Sequence, residues 1–159
     1  MCASHEYATH IMRLIGGLHD LPAAAWDKLS KGHPLLSHAF FTALHDSHSA
    51  CAKTGWDMQF LSWWDGGQLK AAMPLYVKHH SYGEYVFDWA WADAMHKAGR
   101  AYYPKLLAAI PFTPCPGARL LCLDDPTPYI SDTIAFARAS KLSSLHILLC
   151  KQAEAHAWQ

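Results

Sequence analysis

Charged side chains are scarce in this sequence. Of 159 residues, 13 are lysine or arginine and 13 are aspartate or glutamate, a charged share of 16%, against roughly 25% in an average soluble domain. The formal net charge of zero argues against a non-specific nucleic-acid binder, which needs a basic surface to displace counterions. The composition also argues against intrinsic disorder, because disordered chains are poor in aromatics and aromatic residues make up 13% of this chain.

The sequence also lacks paired cysteines and long apolar runs. Its five cysteines are widely spaced, with no Cys-x-x-Cys pair, which argues against zinc-knuckle and thioredoxin-type motifs and favours reduced thiols in a cytosolic protein. Apolar runs such as residues 145–150 are far shorter than the roughly 20 residues of a membrane span. The first residues do not have the pattern of a signal peptide. We therefore expect a cytoplasmic, soluble protein with no membrane span.

Motifs of common catalytic and metal sites are missing. The sequence contains no Gly-x-Ser-x-Gly, no Gly-x-Gly-x-x-Gly, no phosphate-binding Gly-x-x-x-x-Gly-Lys loop and no His-Glu-x-x-His, so nothing signals a hydrolase, a nucleotide site or a zinc protease. Among twelve histidines, His45 and His48 recur with Cys51 at intervals of three. Six residues of helix turn by about 600°, so these three side chains cannot all face one ion. We expect no metal site.

Periodicity and turn residues predict an α/β layout in a single domain covering residues 1–159. The Asp-Gly-Gly turn at 65–67 predicts a hairpin over 58–78, with an edge or a bulge at Pro74, which cannot donate a ladder hydrogen bond. The alternation of strands with helices predicts a central sheet flanked by helices. The predicted strands are 9–15, 58–64, 68–78, 106–110, 119–123 and 144–150, and the predicted helices are 23–29, 34–50, 91–98, 128–142 and 151–159.

An aromatic and acidic stretch over residues 79–105 is the best candidate for a functional site. Aromatic faces beside carboxylates are typical of clefts that bind polar ligands such as sugars and peptides. Core packing, with phenol and indole groups bonded to nearby carboxylates, is the alternative and is left open by the residues alone. The stretch contains Tyr82, Glu84, Tyr85, Phe87, Asp88, Trp89, Trp91, Asp93, Tyr102, Tyr103 and Lys105.

Several motifs together resemble a bacterial family of predicted N-acyltransferases. This family is related to the FemAB peptidoglycan-bridge enzymes and belongs to the GNAT superfamily. The similarity runs in unbroken order from about residue 26 to residue 150, although His45 and Met95 stand where the pattern has an acidic and an aromatic residue. The motifs that carry it are residues 36–40, 54–56, 74–76, 81–88, 91–94, 102–106, 111–114 and Gly117 with 119–121.

The resemblance implies a fold and a domain organisation. We expect a GNAT-like mixed central sheet flanked by helices, lacking its C-terminal strands. Members of the family carry two GNAT-like halves, and this chain resembles the first half only. The expected partner is therefore a second, C-terminal GNAT-like half, and the chain is expected to expose a large apolar patch towards it and to self-associate.

The resemblance also implies an activity, the transfer of an acyl or aminoacyl group to an amine. The donor, acyl-CoA or aminoacyl-tRNA, is expected mainly on the second half, so this half is expected to bind no cofactor. This half would contact the acceptor, a small-molecule or peptide amine, with Glu84 and Asp88 as the catalytic groups that hold or deprotonate it. The expected substrate-binding residues are Tyr82, Tyr85, Trp91, Asp93, Tyr102, Tyr103 and Lys105.

A non-catalytic role is the alternative hypothesis. A GNAT-like half can act as a binding module that recognises a peptide or a cell-wall precursor without transferring anything to it. The sequence leaves open whether the chain is active without a second half, and it does not identify the acyl donor, the acceptor amine or the oligomeric state.

Overall fold

Residues 10–159, which this computed structural model describes, form five α-helices and eight short strands. The mixed α/β class predicted from the sequence is confirmed, and Thr9, the predicted start of the first strand, lies outside the described residues. The helices are Ala23–Ser30 (α1), His38–Asp46 (α2), Trp89–Lys97 (α3), Thr127–Ala139 (α4) and Gln152–Ala157 (α5). The strands are Ile11–Leu14 (β1), Asp57–Met58 (β2), Leu61–Asp65 (β3), Gln68–Met73 (β4), Tyr76–Lys78 (β5), Lys105–Ala108 (β6), Leu121–Cys122 (β7) and Leu145–Ile147 (β8).

In the described part of the chain, the strands lie in two four-stranded sheets instead of the one central sheet that the sequence predicts. The first sheet has the order β1-β3-β4-β7 and the second the order β2-β5-β6-β8. All pairings in the first sheet are antiparallel, whereas β6 and β8 in the second sheet are parallel. Because β8 lies at an edge of its sheet, it is only half-buried, although the sequence predicts a buried strand there.

One bent hairpin supplies two strands to each sheet. β3 and β4 pair around the predicted turn at 65–67, while β2 and β5, farther from the turn, pair in the second sheet. The arms are interrupted at residues 59–60 and 74–75, where the Gln59 N–H donates to the Leu75 carbonyl at 2.8 Å. Pro74 has no N–H to continue the ladder. The predicted irregularity at Pro74 is thus a complete break, and it divides the sheet in two.

The second helix is shorter than the predicted span of 34–50. Residues Pro34–Leu36 form a separate 3₁₀ turn, and Ser37 has extended backbone and accepts a hydrogen bond from the Phe40 N–H at 3.2 Å. This side chain satisfies one of the unpaired N–H groups at a helix start, which fixes the beginning of α2. After the helix, His48 adopts a positive φ of 58°, which ends the helical path well before residue 50.

Two hydrophobic clusters hold the sheets and helices together. In the first, Trp26 packs against Phe41 and Phe60, and its indole N–H donates to the Leu36 carbonyl at 2.8 Å. The second lies between the first sheet, β6 and α4. No helix within residues 10–159 is long and apolar enough to span a membrane. The second cluster includes Leu61, Trp63, Met73, Leu106, Tyr129 and Ile130.

Candidate functional site

Two buried lysines lie directly opposite each other in the second sheet. Lys78 on β5 pairs in register with Lys105 on β6, and the two residues are 0% and 1% exposed. Like charges in opposite positions on neighbouring strands repel each other, and a charge without a partner inside a protein is costly. The sheet therefore needs acidic or other electron-rich groups to be packed over this pair.

The segment 81–88, between β5 and α3, supplies these groups. The Lys105 Nζ donates to Glu84 Oε2 at 3.0 Å and to Asp88 Oδ2 at 2.5 Å. Lys78 Nζ donates to the Tyr82 carbonyl at 3.1 Å and lies 3.8 Å from the centre of the Trp56 ring, a cation–π contact. Glu84 and Asp88 are both buried. Two lysines and two carboxylates thus form a buried group that is electrically balanced.

A tight turn brings Glu84 into this group. Gly83 has a φ of +79°, and a Cβ added to it would lie 2.7 Å from a ring carbon of Phe112. The Gly83 carbonyl accepts a hydrogen bond from the Phe112 N–H at 3.2 Å, and the Glu84 N–H donates to the Ser81 carbonyl at 3.2 Å. Only glycine combines this φ with so close an approach. The turn directs Glu84 inward and leaves Tyr85, also at a positive φ of 59°, exposed.

The two carboxylates differ in acidity although both bond to Lys105. Burial raises the pKa of the Glu84 carboxyl above its ordinary value, and the hydrogen bond and charge of Lys105 oppose this only in part. Burial also acts on Asp88, but hydrogen bonds from Lys105 and from the Tyr103 hydroxyl outweigh it and lower its pKa to about 2. Burial lowers the pKa of Lys78 to about 8. At neutral pH, Asp88 is ionised, and Glu84 is the carboxyl that takes up a proton more readily.

A cavity of about 350 Å³ opens next to this charged group. Its wall includes Glu84, Asp88 and Lys105, and Glu84 Oε1 is buried without a hydrogen-bond partner among the described residues. Unpaired buried oxygens are rare in folded proteins. Glu84 thus carries an unpartnered oxygen beside the cavity, although its side chain is fully buried. The remaining lining residues are Val86, Phe87, Trp91, Tyr102, His146 and Leu148.

The structure brings most of the predicted site residues together, and separates three from the cavity. Tyr102 and Trp91 line the cavity with the charged group, and the Tyr103 hydroxyl donates to Asp88 Oδ1 at 2.5 Å. Tyr103 bonds to the charged group without lining the cavity, and three further predicted residues lie outside both. Tyr82 and Tyr85 are exposed, and Asp93 is exposed on α3 with an ion pair to Lys97 at 2.6 Å.

Sequence reasoning missed three residues of this region. Lys78 follows an apolar run in β5, where a lysine usually marks the end of a strand, so its burial could be found only from the pairing with β6. Trp56 precedes β2 and covers the Lys78 ammonium. His146 reaches the cavity because β8 lies beside β6, and burial lowers the pKa of its imidazole.

Five exposed aromatic side chains surround the segment that carries Glu84 and Asp88. We call Tyr82, Tyr85, Phe87, Trp89 and Trp91 the aromatic surface; each is 56–70% exposed. The Phe87 and Trp89 rings are 5.2 Å apart, and the Tyr82 and Trp89 rings are 6.4 Å apart. An exposed apolar area of this kind is typical of a surface that meets a ligand or a partner.

Metal ligands do not converge in the part of the chain that the structure covers. Among residues 10–159, no three histidine, cysteine, aspartate or glutamate side chains are placed to share one ion. His45 bonds to the Tyr76 hydroxyl at 3.3 Å, and His19 bonds to Asp46 at 2.9 Å. These contacts account for two of the histidines as structural groups.

Comparison with known proteins identifies the family. No protein with a curated description and no solved structure matches the chain, so the GNAT-like fold remains a prediction. One family model, FemAB-like, described as peptidoglycan biosynthesis/recognition, matches residues 17–159. This range contains the whole charged group, the cavity beside it and the aromatic surface. The chain therefore belongs to the FemAB-like family of peptidoglycan biosynthesis and recognition.

Proposed function

We propose that this chain binds the amine acceptor in the transfer of an acyl or aminoacyl group to a peptidoglycan precursor. Family membership supports the general class of reaction. The observation that carries the acceptor role is the unpartnered Glu84 Oε1, buried in the charged group beside a cavity whose wall includes Glu84 and Asp88. An ammonium group is the donor that such a pair of carboxylates would hold, because charge-assisted hydrogen bonds are the strong ones.

The two carboxylates would have different tasks. Asp88, with its pKa lowered to about 2, stays ionised and attracts the acceptor as an ammonium ion. An amine attacks only after it has lost a proton, and a catalytic base works best when its pKa lies near the working pH. Burial moves the pKa of Glu84 in that direction. Glu84 is therefore the proposed base, and Asp88 is the proposed anchor.

The other site residues would position these two and the acceptor. Lys105 holds both carboxylates and Tyr103 holds Asp88. Trp91 and Tyr102 line the cavity and would pack against the acceptor beside its amine. Tyr82, Tyr85 and Asp93, which lie outside the lining, would contact parts of the acceptor that extend from the cavity.

The proposed donor is acyl-CoA or aminoacyl-tRNA, bound mainly by a second GNAT-like half, and this chain would itself have the fold of a GNAT half. The aromatic surface supports such a partner, because it is exposed and borders the cavity through Phe87 and Trp91. We place the reaction in the cytoplasm. The unpaired state of Cys51, Cys115, Cys122 and Cys150 agrees with a reducing compartment.

Calorimetry with a peptidoglycan stem peptide tests the acceptor site. We expect a peptide with a free lysine amine to bind about tenfold or more tightly than the same peptide with that amine acetylated, because acetylation removes the charge. Asp88→Asn should abolish this preference. Asp46→Asn, which alters an exposed carboxylate on α2, should preserve it. Equal binding of the free and acetylated peptides to the unaltered chain would contradict the proposal.

A non-catalytic binding module is the second candidate. Both carboxylates already bond to Lys105, which favours a role in holding a ligand over a role in proton transfer. Turnover with a second half and an acyl donor supplied separates the two candidates. Product formed from the free-amine peptide supports the transferase, whereas binding of that peptide with no turnover supports the module.

A further inference from the structure

A second and larger cavity, of about 510 Å³, lies between the end of α1, β7 and α5. It shares no lining residue with the acceptor cavity. Its inner wall is apolar and comes from Leu29, Leu36, Leu120 and Leu121, all buried. Ala153 on α5 adds a further small apolar side chain. A cavity of this size and character is in the usual range for small-molecule sites.

The carboxylates at this cavity are already bonded. Both oxygens of Glu154 accept from the Arg119 N–H, at 3.0 and 3.1 Å, and Oε1 also accepts from the Leu120 N–H at 2.8 Å. Asp124 accepts from the Tyr129 hydroxyl at 3.0 Å. Their capacity to bind a further cation is reduced by these bonds.

The lysines at the cavity remain available. Lys31 and Lys151 both line it and are exposed, and neither forms an ion pair with any residue between 10 and 159. His33 adds a buried Nδ1 that has no hydrogen-bond partner in that range. The cavity thus joins an apolar interior to two uncommitted positive charges and one unpaired ring nitrogen.

We propose that this cavity binds an anionic amphiphile, with its alkyl chain on the leucine wall and its head group at Lys31 and Lys151. An alkyl chain matches the apolar interior because each buried methylene gains free energy on leaving water. An anionic head group matches the two lysines. The site is independent of the proposed transfer reaction, since the two cavities have no residue in common.

Calorimetry with fatty carboxylates below their micellar concentrations tests the apolar part. Each methylene buried corresponds to about a fourfold gain in affinity. Decanoate should therefore bind about fifteenfold more tightly than octanoate. Decyl phosphate in place of decanoate shows which anionic head group the lysines favour. The absence of binding by both decyl compounds overturns the proposal.

Two lysine variants test the head-group contacts. Lys31 has a left-handed backbone, with φ 54°, and asparagine tolerates this conformation, so Lys31→Asn removes the charge without straining the chain. Combined with Lys151→Gln, it should weaken decanoate binding about tenfold, given the modest worth of partly exposed ion pairs. Binding of uncharged decanol should not change. Lys141→Asn is the matched control, because Lys141 is also exposed and has a φ of 58°.

Alkylation of cysteines locates the ligand. Cys122 lines the cavity, whereas Cys51 does not, so saturating decanoate should slow the reaction of N-ethylmaleimide with Cys122 and leave Cys51 unaffected, as measured by peptide mass spectrometry. This readout needs no enzymatic activity. Equal rates at Cys122 with and without decanoate, or full affinity in the double lysine variant, show that the amphiphile does not occupy this cavity.

Discussion

Asp88 and Glu84 contact the same ammonium group, but their pKa values are shifted in opposite directions. Asp88 receives hydrogen bonds from Lys105 and Tyr103, which stabilise its charged form and lower its pKa to about 2. Glu84 has one oxygen on Lys105 and one oxygen without a partner, so burial prevails and raises its pKa. The difference between them has two causes, since the Glu84 side chain is the more deeply buried and Asp88 receives more hydrogen bonds.

This difference predicts opposite pH dependence for two amide substitutions. The carboxyl of Asp88 has a lower pKa in the folded chain than its ordinary 3.8, so its contribution to stability is full above about pH 5 and is lost as the pH falls through about 2. Asp88→Asn should cost about 2 kcal/mol of unfolding free energy at neutral pH. That cost should shrink in acid, as urea unfolding at several pH values would show.

For Glu84 the direction reverses. Its folded pKa is raised, so the folded chain holds more protons than the unfolded chain between the two values, and lowering the pH through this window favours folding. The stability of the unaltered chain relative to Glu84→Gln should therefore rise as the pH falls. A cost that shrinks in acid for both variants would contradict the assignment of separate acidities.

At the level of residues, the sequence pointed to the acidic members of the buried charged group but not to Lys78. Glu84 and Asp88 stand out because they interrupt an aromatic stretch. Lys78 has no comparable signal, since a lysine at the end of a strand usually faces solvent. Its burial follows from its position opposite Lys105 and from the segment 81–88 that covers both, and these are long-range contacts that no local pattern encodes.

Among the elements, the turn at Gly83 determines whether the segment 81–88 can cover the sheet. Gly83→Ala should destabilise the chain by about 2–3 kcal/mol, because the left-handed φ costs an alanine about 1 kcal/mol and a Cβ 2.7 Å from Phe112 adds a steric clash. Gly99→Ala is the matched control: its φ is +71° and nothing lies within 4 Å of an added Cβ. In urea unfolding, Gly99→Ala should therefore lower the free energy of unfolding only by the cost of the left-handed backbone, about 1 kcal/mol.

A double variant separates the two causes at Gly83. Phe112→Leu shortens the side chain that an added Cβ would meet, so Gly83→Ala should cost less in that background, by an interaction energy of about 0.5–1 kcal/mol or more. If Gly83→Ala and Gly99→Ala cost the same, the close contact with Phe112 does not constrain the turn.

The strands and helices also show which local sequence signals are sufficient to predict a secondary-structure element. The Asp-Gly-Gly turn correctly predicted the hairpin of β3 and β4, because the turn and its flanking residues are sufficient for that structure. Pro74 indicated an interruption, but the assignment of β5 to a second sheet depends on the pairing with β6 and was not predictable from the proline alone. Similarly, Ser37 marks the start of α2, whereas the helical spacing of Leu36, Phe40 and Leu44 led to a predicted helix that extends beyond both ends.

On the scale of the whole molecule, low charge and abundant aromatics have separate locations. Trp26, Trp56 and Trp63 are fully buried, which accounts for part of the aromatic content as ordinary core packing. The aromatic surface accounts for another part. It borders the buried charged group, in which two carboxylates balance the charges of two lysines. Of the two alternatives left open for the stretch 79–105, core packing holds for Tyr103, whose hydroxyl bonds to a buried carboxylate, while ligand binding by the exposed rings stays a prediction.

Because the aromatic surface is exposed and the chain has few charged residues, we expect the purified chain to associate with itself. The aromatic surface should bind a hydrophobic dye and cause concentration-dependent self-association in sedimentation velocity, because burying such rings removes apolar area from water. Replacing Trp89 and Trp91 by glutamine should reduce both signals. Ile11→Gln is the matched control, since Ile11 is 60% exposed but lies outside this surface and outside the two cavities. If the chain stays monomeric at high concentration and binds no dye, the aromatic surface is not an association face, and the proposal of a second half docking there loses its support.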